Sequence, residues 1–150
     1  MKKQLRKDEV EELDRIVHEK YNLENFFKKK RVELEDDIKV YADGVLSFIK
    51  KEVLIPALPL LQKNNFLKTV TVDMGAVKFV CSGADIMRPG IVAFDADIQK
   101  DEIIVIVDTA HKKPLAVGRM LVSGAEAAAL QKGKIIQNLH YVGDEWWKVN

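Results

Sequence analysis

The side chains that most often carry catalysis are few and scattered in this sequence. Cys81 lies in the apolar segment Phe79-Val80-Cys81, where cysteine more commonly serves as a small buried side chain. The histidines His18, His111 and His140 show no spacing typical of a metal site, and no motif for a nucleophile or a nucleotide is present. We therefore expect no catalytic residue, metal site or cofactor, and predict that the protein is not an enzyme.

The stretch from Asp73 to Ile91 is more informative, because small residues recur in it at three closely spaced points. Backbone that carries so little side chain can approach a polynucleotide closely, and neighbouring cations can pair with phosphates. Spacing alone leaves open that the glycines serve only turns and helix ends. The candidate RNA-binding residues are Gly75, Ala76, Lys78, Ser82, Gly83, Ala84, Arg88, Pro89 and Gly90.

Two further segments combine charge or aromatic rings in a way that could serve RNA. A basic run follows Phe26-Phe27 and consists of Lys28, Lys29, Lys30 and Arg31. Cations beside rings can join phosphate attraction to base stacking, although such a run is more often a solvated turn over buried rings. Trp146-Trp147 lies in a predicted strand, which would place one ring in the core and leave the other for stacking.

Composition limits the class of protein. The 150 residues are 47% hydrophobic and 31% charged, and 24 basic side chains nearly balance 23 acidic ones. Because the net charge is only +1, any RNA site must be a local patch, and we expect no DNA partner. The single cysteine and the absence of a long apolar run predict a globular cytoplasmic protein of one or two domains, without a disulfide or membrane span.

The first half of the chain predicts a helix followed by a small sheet. Apolar residues at three- and four-residue spacing indicate a helix from Asp8 to Asn22, with Asp8 as its N-cap and Glu11 completing a capping box. Asp43-Gly44 predicts a tight hairpin. The flanking strands are expected at 32–34, 38–42 and 45–50, and a short helix with Pro56 as its first residue is expected to end at Asn64-Asn65.

The second half predicts mainly strands. The continuous β-branched run Ile103–Val107 indicates a strand buried on both faces. Ser123 and Glu126 form a capping box for a helix that is expected to continue through Lys132 and to close at Gly133. Further strands are expected at 69–73, 91–94, 115–122, 134–142 and 146–149, with a short helix over 75–82 and a domain boundary between residues 70 and 71.

Residues 71–150 resemble the PUA domain, the RNA-binding module named after pseudouridine synthases and archaeosine transglycosylases. The motifs that carry the resemblance are Gly75-Ala76, Phe79-Val80, Ser82-Gly83-Ala84, Ile86-Met87, Pro89-Gly90, Ala116-Val117-Gly118, Lys132-Gly133 and Asn138-Leu139-His140-Tyr141 before Trp147. The resemblance implies an α+β protein in which a mixed pre-PUA domain, residues 1–70, precedes a small PUA β-barrel with a packed helix.

The full length is similar to the malignant T-cell amplified sequence family, which is related to ligatin. This similarity implies RNA binding in translation initiation or recycling, on the small ribosomal subunit with tRNA, and a protein partner of the density-regulated-protein type. Family members commonly carry Lys where this chain has Met74, and Arg88 supplies a cation near Pro89-Gly90 instead. The binding edge is therefore expected to be shifted.

Two other functions stay open at this point. The chain could be the RNA-targeting subunit of a separate enzyme that modifies tRNA or rRNA. It could instead be a protein–protein adaptor whose contact surface comprises Phe26, Phe27 and the helix over Leu58–Leu61.

Overall fold

The computed structural model describes Met1–Trp147, and contacts divide the chain after Phe66 into two compact units. The first unit contains β1 (Lys2–Gln4), α1 (Lys7–Tyr21), β2 (Val32–Glu35), β3 (Lys39–Ala42), β4 (Val45–Lys50), β5 (Leu54–Pro56) and α2 (Leu58–Lys63). Its five strands form one antiparallel sheet in chain order, so that β1 and β5 are the edges.

Helix α1 begins earlier than predicted. The backbone N–H of Arg6 donates to Glu9 Oε1 at 3.0 Å, and Arg6 is the N-cap. The predicted capping box of Asp8 and Glu11 is therefore wrong, because Glu9, the third helical residue, already reaches back to the start of the helix. The helix ends at Tyr21, and its C-cap Asn22 is left-handed with φ 57° and donates its N–H to His18 O.

The predicted hairpin between β3 and β4 is confirmed. Asp43 and Gly44 both have positive φ, 49° and 79°, as a two-residue turn of this hand requires. Pro56 lies at the end of edge strand β5 and is not the first residue of the helix. Helix α2 begins at Leu58 instead, with Pro59 as its second residue, where a missing N–H removes no helical hydrogen bond.

The second unit contains most of the predicted strands in one mixed sheet. Its elements are β6 (Thr69–Val72), α3 (Met74–Val80), β7 (Ile86–Met87), a 3-10 turn (Arg88–Gly90), β8 (Ile91–Ala93), β9 (Ile103–Asp108), β10 (Pro114–Met120), α4 (Gly124–Ala129) and β11 (Lys134–Tyr141). The strand order is β7-β11-β10-β9-β6-β8, and the β6–β9 pair is parallel. All six residues of β9 are buried, which confirms the prediction for that run.

The connection between the two edge strands forces this sheet to curl. Strands β7 and β8 lie at opposite edges, but only the three residues Arg88–Gly90 separate them. Four chain steps from Met87 to Ile91 span at most about 14 Å, whereas the edges of a flat six-stranded sheet would be about 24 Å apart. The sheet therefore closes towards a small barrel, and Val80 of α3 is buried in the same core as Ala116 of β10.

Three expectations about this unit differ from the structure. Strand β6 pairs along its whole length with β9, so the chain divides four residues before the expected boundary at 70/71. Helix α4 ends at Ala129 with extended Leu130 as its C-cap, so Gly133 does not close the helix. Trp146 and Trp147 lie in a turn, not a strand, and residues 148–149 of that predicted strand lie outside the described residues.

Candidate nucleic-acid interface

Five of the nine predicted RNA-binding residues line one groove of about 400 Å³ in the second unit. They are Gly75, Ala76, Ala84, Pro89 and Gly90. Helix α3 supplies one wall, and the segment from Ala84 through the 3-10 turn supplies the other. These five residues carry no side chain longer than a proline ring, so backbone is accessible in their part of the groove wall. The sequence motif thus marked residues that the fold brings together.

Large apolar side chains in and beside this groove are exposed to solvent. Phe79 is 58% exposed and Met87 is 48% exposed, and both line the groove. Met74, at the residue where family members commonly carry Lys, is 51% exposed at the start of α3. Exposed apolar patches of this kind mark binding surfaces more often than chance solvent contact. Sequence reasoning did not select Phe79 as a site residue, although it follows Gly75 by four positions and so shares its helix face.

The groove contains carboxylates and no lysine or arginine among its lining residues. Asp73 lines the groove and caps α3, because its Oδ1 accepts from Ala76 N–H at 2.8 Å. The sequence suggested that this N–H would be free for a ligand, but it is already hydrogen-bonded. Asp85 accepts from Asn138 N–H and lies 3.0 Å from Lys134 Nζ. Burial opposes ionisation, but those two partners hold the pKa of Asp85 below its usual value. Lys134 offsets the charge of Asp85, so the lining of the groove offers phosphates no cation of its own.

Lys78 is the predicted cation that stays available near this groove. It is exposed on α3, and its Nζ lies 5.1 Å from the ring centroid of Phe79. An ammonium beside a ring is a common pairing in nucleic-acid sites, because one group meets a phosphate and the other a base. Lys78 and Phe79 together thus form a charged and aromatic rim.

Arg88 has a different position from the one expected. Its Nε donates to Ala127 O at 2.8 Å, one Nη donates to Ile91 O at 3.3 Å, and the guanidinium lies 5.3 Å from the ring of Phe94. The side chain is half-buried and does not line the groove. It ties the 3-10 turn to α4 and β8, so its geometry is that of a structural residue and not of an open phosphate ligand.

Ser82 and Gly83 shape the loop after α3. Ser82 Oγ donates to Lys78 O at 2.6 Å, which occupies the hydroxyl within its own turn. Gly83 has φ +90°, and a Cβ there would lie 2.9 Å from the ring of Tyr141, so both conformation and space require glycine. Asn138 Nδ2 donates to both Val80 O and Ala84 O, which fastens the loop to β11.

The basic run after Phe26-Phe27 lies in a turn of the first unit. Phe27 is 1% exposed and Phe26 is half-buried, with ring centroids 4.8 Å apart, so these rings belong to the core and not to a stacking surface. Lys30 Nζ lies 4.1 Å from the Phe26 ring, and Arg31 Nε lies 3.5 Å from Glu33 Oε1. The run is a solvated turn over buried aromatic rings.

The adaptor surface that the sequence suggested is also mostly interior. Phe27, Leu58 and Leu61 are each at most 1% exposed. These three side chains are not available to a partner, whereas Phe26 and Leu60 of the same predicted surface are half-buried.

The C-terminal tryptophans are held by a buried aspartate, Asp144. Asp144 Oδ2 lies 2.8 Å from His140 Nδ1 and accepts from Tyr141 N–H, while Oδ1 accepts from the N–H groups of Trp146 and Trp147. Burial opposes ionisation, but these bonds keep the pKa of the Asp144 carboxyl below its ordinary value. Both tryptophans are half-buried, so neither the core ring nor the free ring that the strand prediction implied is observed.

The remaining chemical candidates have ordinary surroundings. Cys81 is half-buried, and burial raises the pKa of its thiol, which disfavours the reactive thiolate. Within residues 1–147, no three His, Cys, Asp or Glu side chains are grouped so that they could hold a metal ion. Over that same part of the chain, no helix has the length and apolar character required to cross a bilayer.

Comparison with known proteins first defines the class. Residues 68–142 match the PUA domain family, which covers the whole curled sheet and the groove. A conserved PUA domain protein from Thermoplasma acidophilum superposes with a TM-score of 0.80 at 27% identity, over 97% of this chain and 96% of that one. The predicted α+β fold with a C-terminal PUA barrel is confirmed.

Proteins of similar sequence define a narrower group within the PUA-domain family. The chain is 41% identical over 140 residues to an uncharacterised protein of Methanocaldococcus jannaschii, covering 91% of this chain and 82% of that protein. It is 40% identical over 132 residues to translation machinery-associated protein 20 of Saccharomyces cerevisiae, covering 80% and 73%. Human malignant T-cell-amplified sequence 2 is 37% identical over 110 residues, covering 69% and 61%. The chain therefore belongs to the PUA-domain family, in the group of these translation machinery-associated and malignant T-cell-amplified sequence proteins.

Proposed function

We propose that this protein is a non-catalytic RNA-binding factor of translation that holds structured RNA, rRNA or tRNA, on the small ribosomal subunit in the cytoplasm. The PUA unit would contact the RNA, and the first unit would dock on the ribosome or on a protein partner of the density-regulated-protein type. The similarity to two fungal proteins named translation machinery-associated protein 20 supports this role. The protein would act by positioning its RNA.

One observation carries the proposal: the groove lined by small residues of the motif, with its rim of Phe79 and Lys78. Gly75 is exposed, and a Cβ there would meet only Asp73 Oδ1, at 3.4 Å, so a sugar or base has room to approach the main chain at this residue. An exposed ring can stack on any base, and such stacking contributes about 1–3 kcal/mol per base. A single neighbouring cation adds a phosphate contact without base specificity.

The charge of the groove indicates which part of the RNA enters it. Asp73 and Asp85 lie among the lining residues and are incompatible with a duplex phosphate track. A base or ribose offers hydrogen-bond donors and an apolar face to the same surface. We therefore expect an unpaired nucleotide of a structured RNA to occupy the groove, with its flanking phosphate on Lys78.

The test is fluorescence anisotropy of labelled single-stranded RNA against three variants of the full chain. Phe79→Ala should weaken binding by roughly 10-fold or more, because it removes a stacked base. Lys78→Ala should lower the slope of log affinity against log salt by about 0.7, the value for one phosphate of a single strand. Gly90→Leu should weaken binding and leave that slope unchanged, because it fills the groove without removing a cation.

Matched controls separate the groove from the rest of the surface. Val92 is 57% exposed and does not line the groove, so Val92→Ala is the control for Phe79→Ala. Gly90 has no positive φ, but a Cβ there would lie 3.2 Å from Ala76 Cβ, so α3 must shift slightly to admit a side chain. Gly90→Leu is therefore used only if its thermal unfolding is unchanged, and Gly75→Leu replaces it otherwise, because a Cβ at Gly75 would meet only Asp73 Oδ1, at 3.4 Å. Unchanged RNA affinity in folded Phe79→Ala and Gly90→Leu proteins would exclude this groove as the RNA surface and make Lys28–Arg31 the leading candidate.

Cellular placement distinguishes the proposal from its alternatives. Sedimentation of native extract should place the protein with small ribosomal subunits, and ribonuclease treatment should release it. Migration with an RNA-modifying enzyme would favour the targeting-subunit function. Retention by protein partners after ribonuclease, with no RNA recovered, would favour the adaptor function.

A further inference from the structure

The first unit has an open groove of about 610 Å³ that the RNA-binding role does not use. It runs beside α1, where Glu9, Glu12, Ile16 and Lys20 share one helix face at three- and four-residue spacing. From Asp8 to Lys20 the groove follows the helix for about 18 Å, at 1.5 Å per residue. The apolar lining residues are Leu5, Leu13, Ile16, Leu34, Val40, Val53 and Leu54.

The two ends of this groove carry opposite charge. Asp8, Glu9 and Glu12 lie at the end where α1 begins, and Lys20, Lys50 and Lys51 lie at the other end together with Glu52. Arg6 and Arg15 pair with Asp8 and Glu12 on the solvent side. These pairs are exposed and screened by solvent, so a partner's cation can compete for the carboxylates.

The sheet beneath the groove determines the backbone form of an occupant. Leu34 and Val40 lie on β2 and β3, which are paired on both sides and offer no free strand edge. Leu54 lies on edge strand β5, but its carbonyl accepts from the Tyr21 hydroxyl. An extended peptide would leave its backbone groups unpaired here, whereas a helix satisfies its own.

We propose that this groove binds an amphipathic α-helix of a partner protein, about three turns long, antiparallel to α1. The apolar face of that helix would lie over Ile16 and Val53. Its basic last turn would meet the acidic end of the groove, and its acidic first turn would meet Lys20 and Lys50. The antiparallel direction also sets the helix dipoles favourably and follows the usual placement of charges at helix ends. This inference is independent of RNA binding.

The experiment measures anisotropy of two labelled 14-residue peptides with the full chain. Both carry leucines at positions i, i+3, i+7 and i+10 on an alanine-glutamine background. One has glutamates in its first turn and lysines in its last, and the other has these charges exchanged. The first should bind at least roughly tenfold more tightly, a difference of about 1.4 kcal/mol. Asp8→Lys with Glu12→Lys should remove the preference, because both ends of the groove would then be basic.

Substitutions in the groove should abolish this binding, and a matched one outside it should not. Ile16→Glu should weaken the first peptide at least tenfold. Ile38, also in the first unit, is 37% exposed and does not line the groove, so Ile38→Glu is the control. If thermal unfolding shows that Ile16→Glu is unfolded, Val53→Glu on the turn between β4 and β5 replaces it.

Several outcomes would overturn the proposal. They are absence of saturable binding of either peptide up to about 1 mM, equal affinity for both peptides, and equal losses in Ile38→Glu and the groove variant. If folded Ile16→Glu no longer binds an oligouridine but still binds the peptide, the groove would be assigned to RNA instead.

Discussion

Asp144 provides the sharpest test of how the C-terminal segment is held. Its two oxygens accept four hydrogen bonds, from His140, Tyr141, Trp146 and Trp147. The substitution Asp144→Asn keeps the shape of the side chain but replaces one oxygen by an NH2 group. That group cannot accept, so two of the four donors lose their partner whichever way the amide is oriented.

The expected loss follows from those two bonds. The side chains of Asp144 and His140 are 3% and 0% exposed, so water does not replace the missing acceptor. A hydrogen bond to a charged group contributes roughly 1.5–3 kcal/mol, so two lost bonds destabilise the second unit by about 3 kcal/mol or more. For a unit of this size the melting temperature should fall by more than about 10 °C.

The effect should depend on pH in a defined direction. The folded-state pKa of Asp144 lies below its ordinary value, so the carboxylate stabilises the fold at any pH above the unfolded pKa of about 3.9. This stabilisation disappears as the pH falls through the folded pKa, where Asp144 becomes protonated. The asparagine variant has no such titration, so the difference between the two proteins should narrow below about pH 4.

Urea unfolding followed by tryptophan fluorescence is the suitable assay, because both tryptophans of the chain lie in the segment that Asp144 holds. Asp95→Asn, at an exposed position of the same unit, removes the same charge and should change stability by less than about 0.5 kcal/mol. An Asp144→Asn protein as stable as the control at pH 7, or a difference that widens in acid, would refute this account.

Two further predictions concern the second unit. A chain that begins at Leu67 should fold alone and melt cooperatively, as followed by circular dichroism. A chain that begins at Thr71 should melt at a lower temperature, because it lacks the part of β6 that pairs with Val105 and Ile106. Equal melting temperatures would contradict a boundary after Phe66. Arg88→Ala should destabilise the unit by about 2 kcal/mol through loss of its two carbonyl contacts, and in the folded variant it should leave the salt slope of RNA binding unchanged. A lower slope would restore Arg88 as a phosphate ligand.

Local sequence signals predicted the elements whose cause is local. The run Ile103–Val107 became the buried strand β9, Asp43-Gly44 formed its turn, and Ser123 Oγ accepts from Glu126 N–H as a cap should. Strand β1 escaped prediction, because Lys2–Gln4 carries no apolar alternation and exists only through pairing with β2, 30 residues further on. Helix α4 ends at Ala129, before the predicted end at Lys132, because Leu130 is already extended and leads into the connection to β11.

In the candidate site, too, the features with local causes were predicted and those that depend on distant residues were not. The small residues of the motif lie on α3 and on the 3-10 turn, which are close in sequence. Contact between these two elements depends on few long-range contacts, so the motif could predict the groove. The use of Arg88 depends on Ala127, 39 residues away, and no local pattern reports that contact. The ring of Phe79 looked like a core residue by type, and its exposure became apparent only once the curl of the sheet was known.

The sheet of the first unit is open, and its two edge strands are poor templates for another chain. Strand β1 has only three residues and presents Lys2 and Lys3, both exposed. Strand β5 is equally short and ends in Pro56, which has no N–H to donate. Edges that are short, charged or interrupted by proline oppose edge-to-edge aggregation. We therefore expect the protein to tolerate high concentration during synthesis and purification without forming intermolecular sheet.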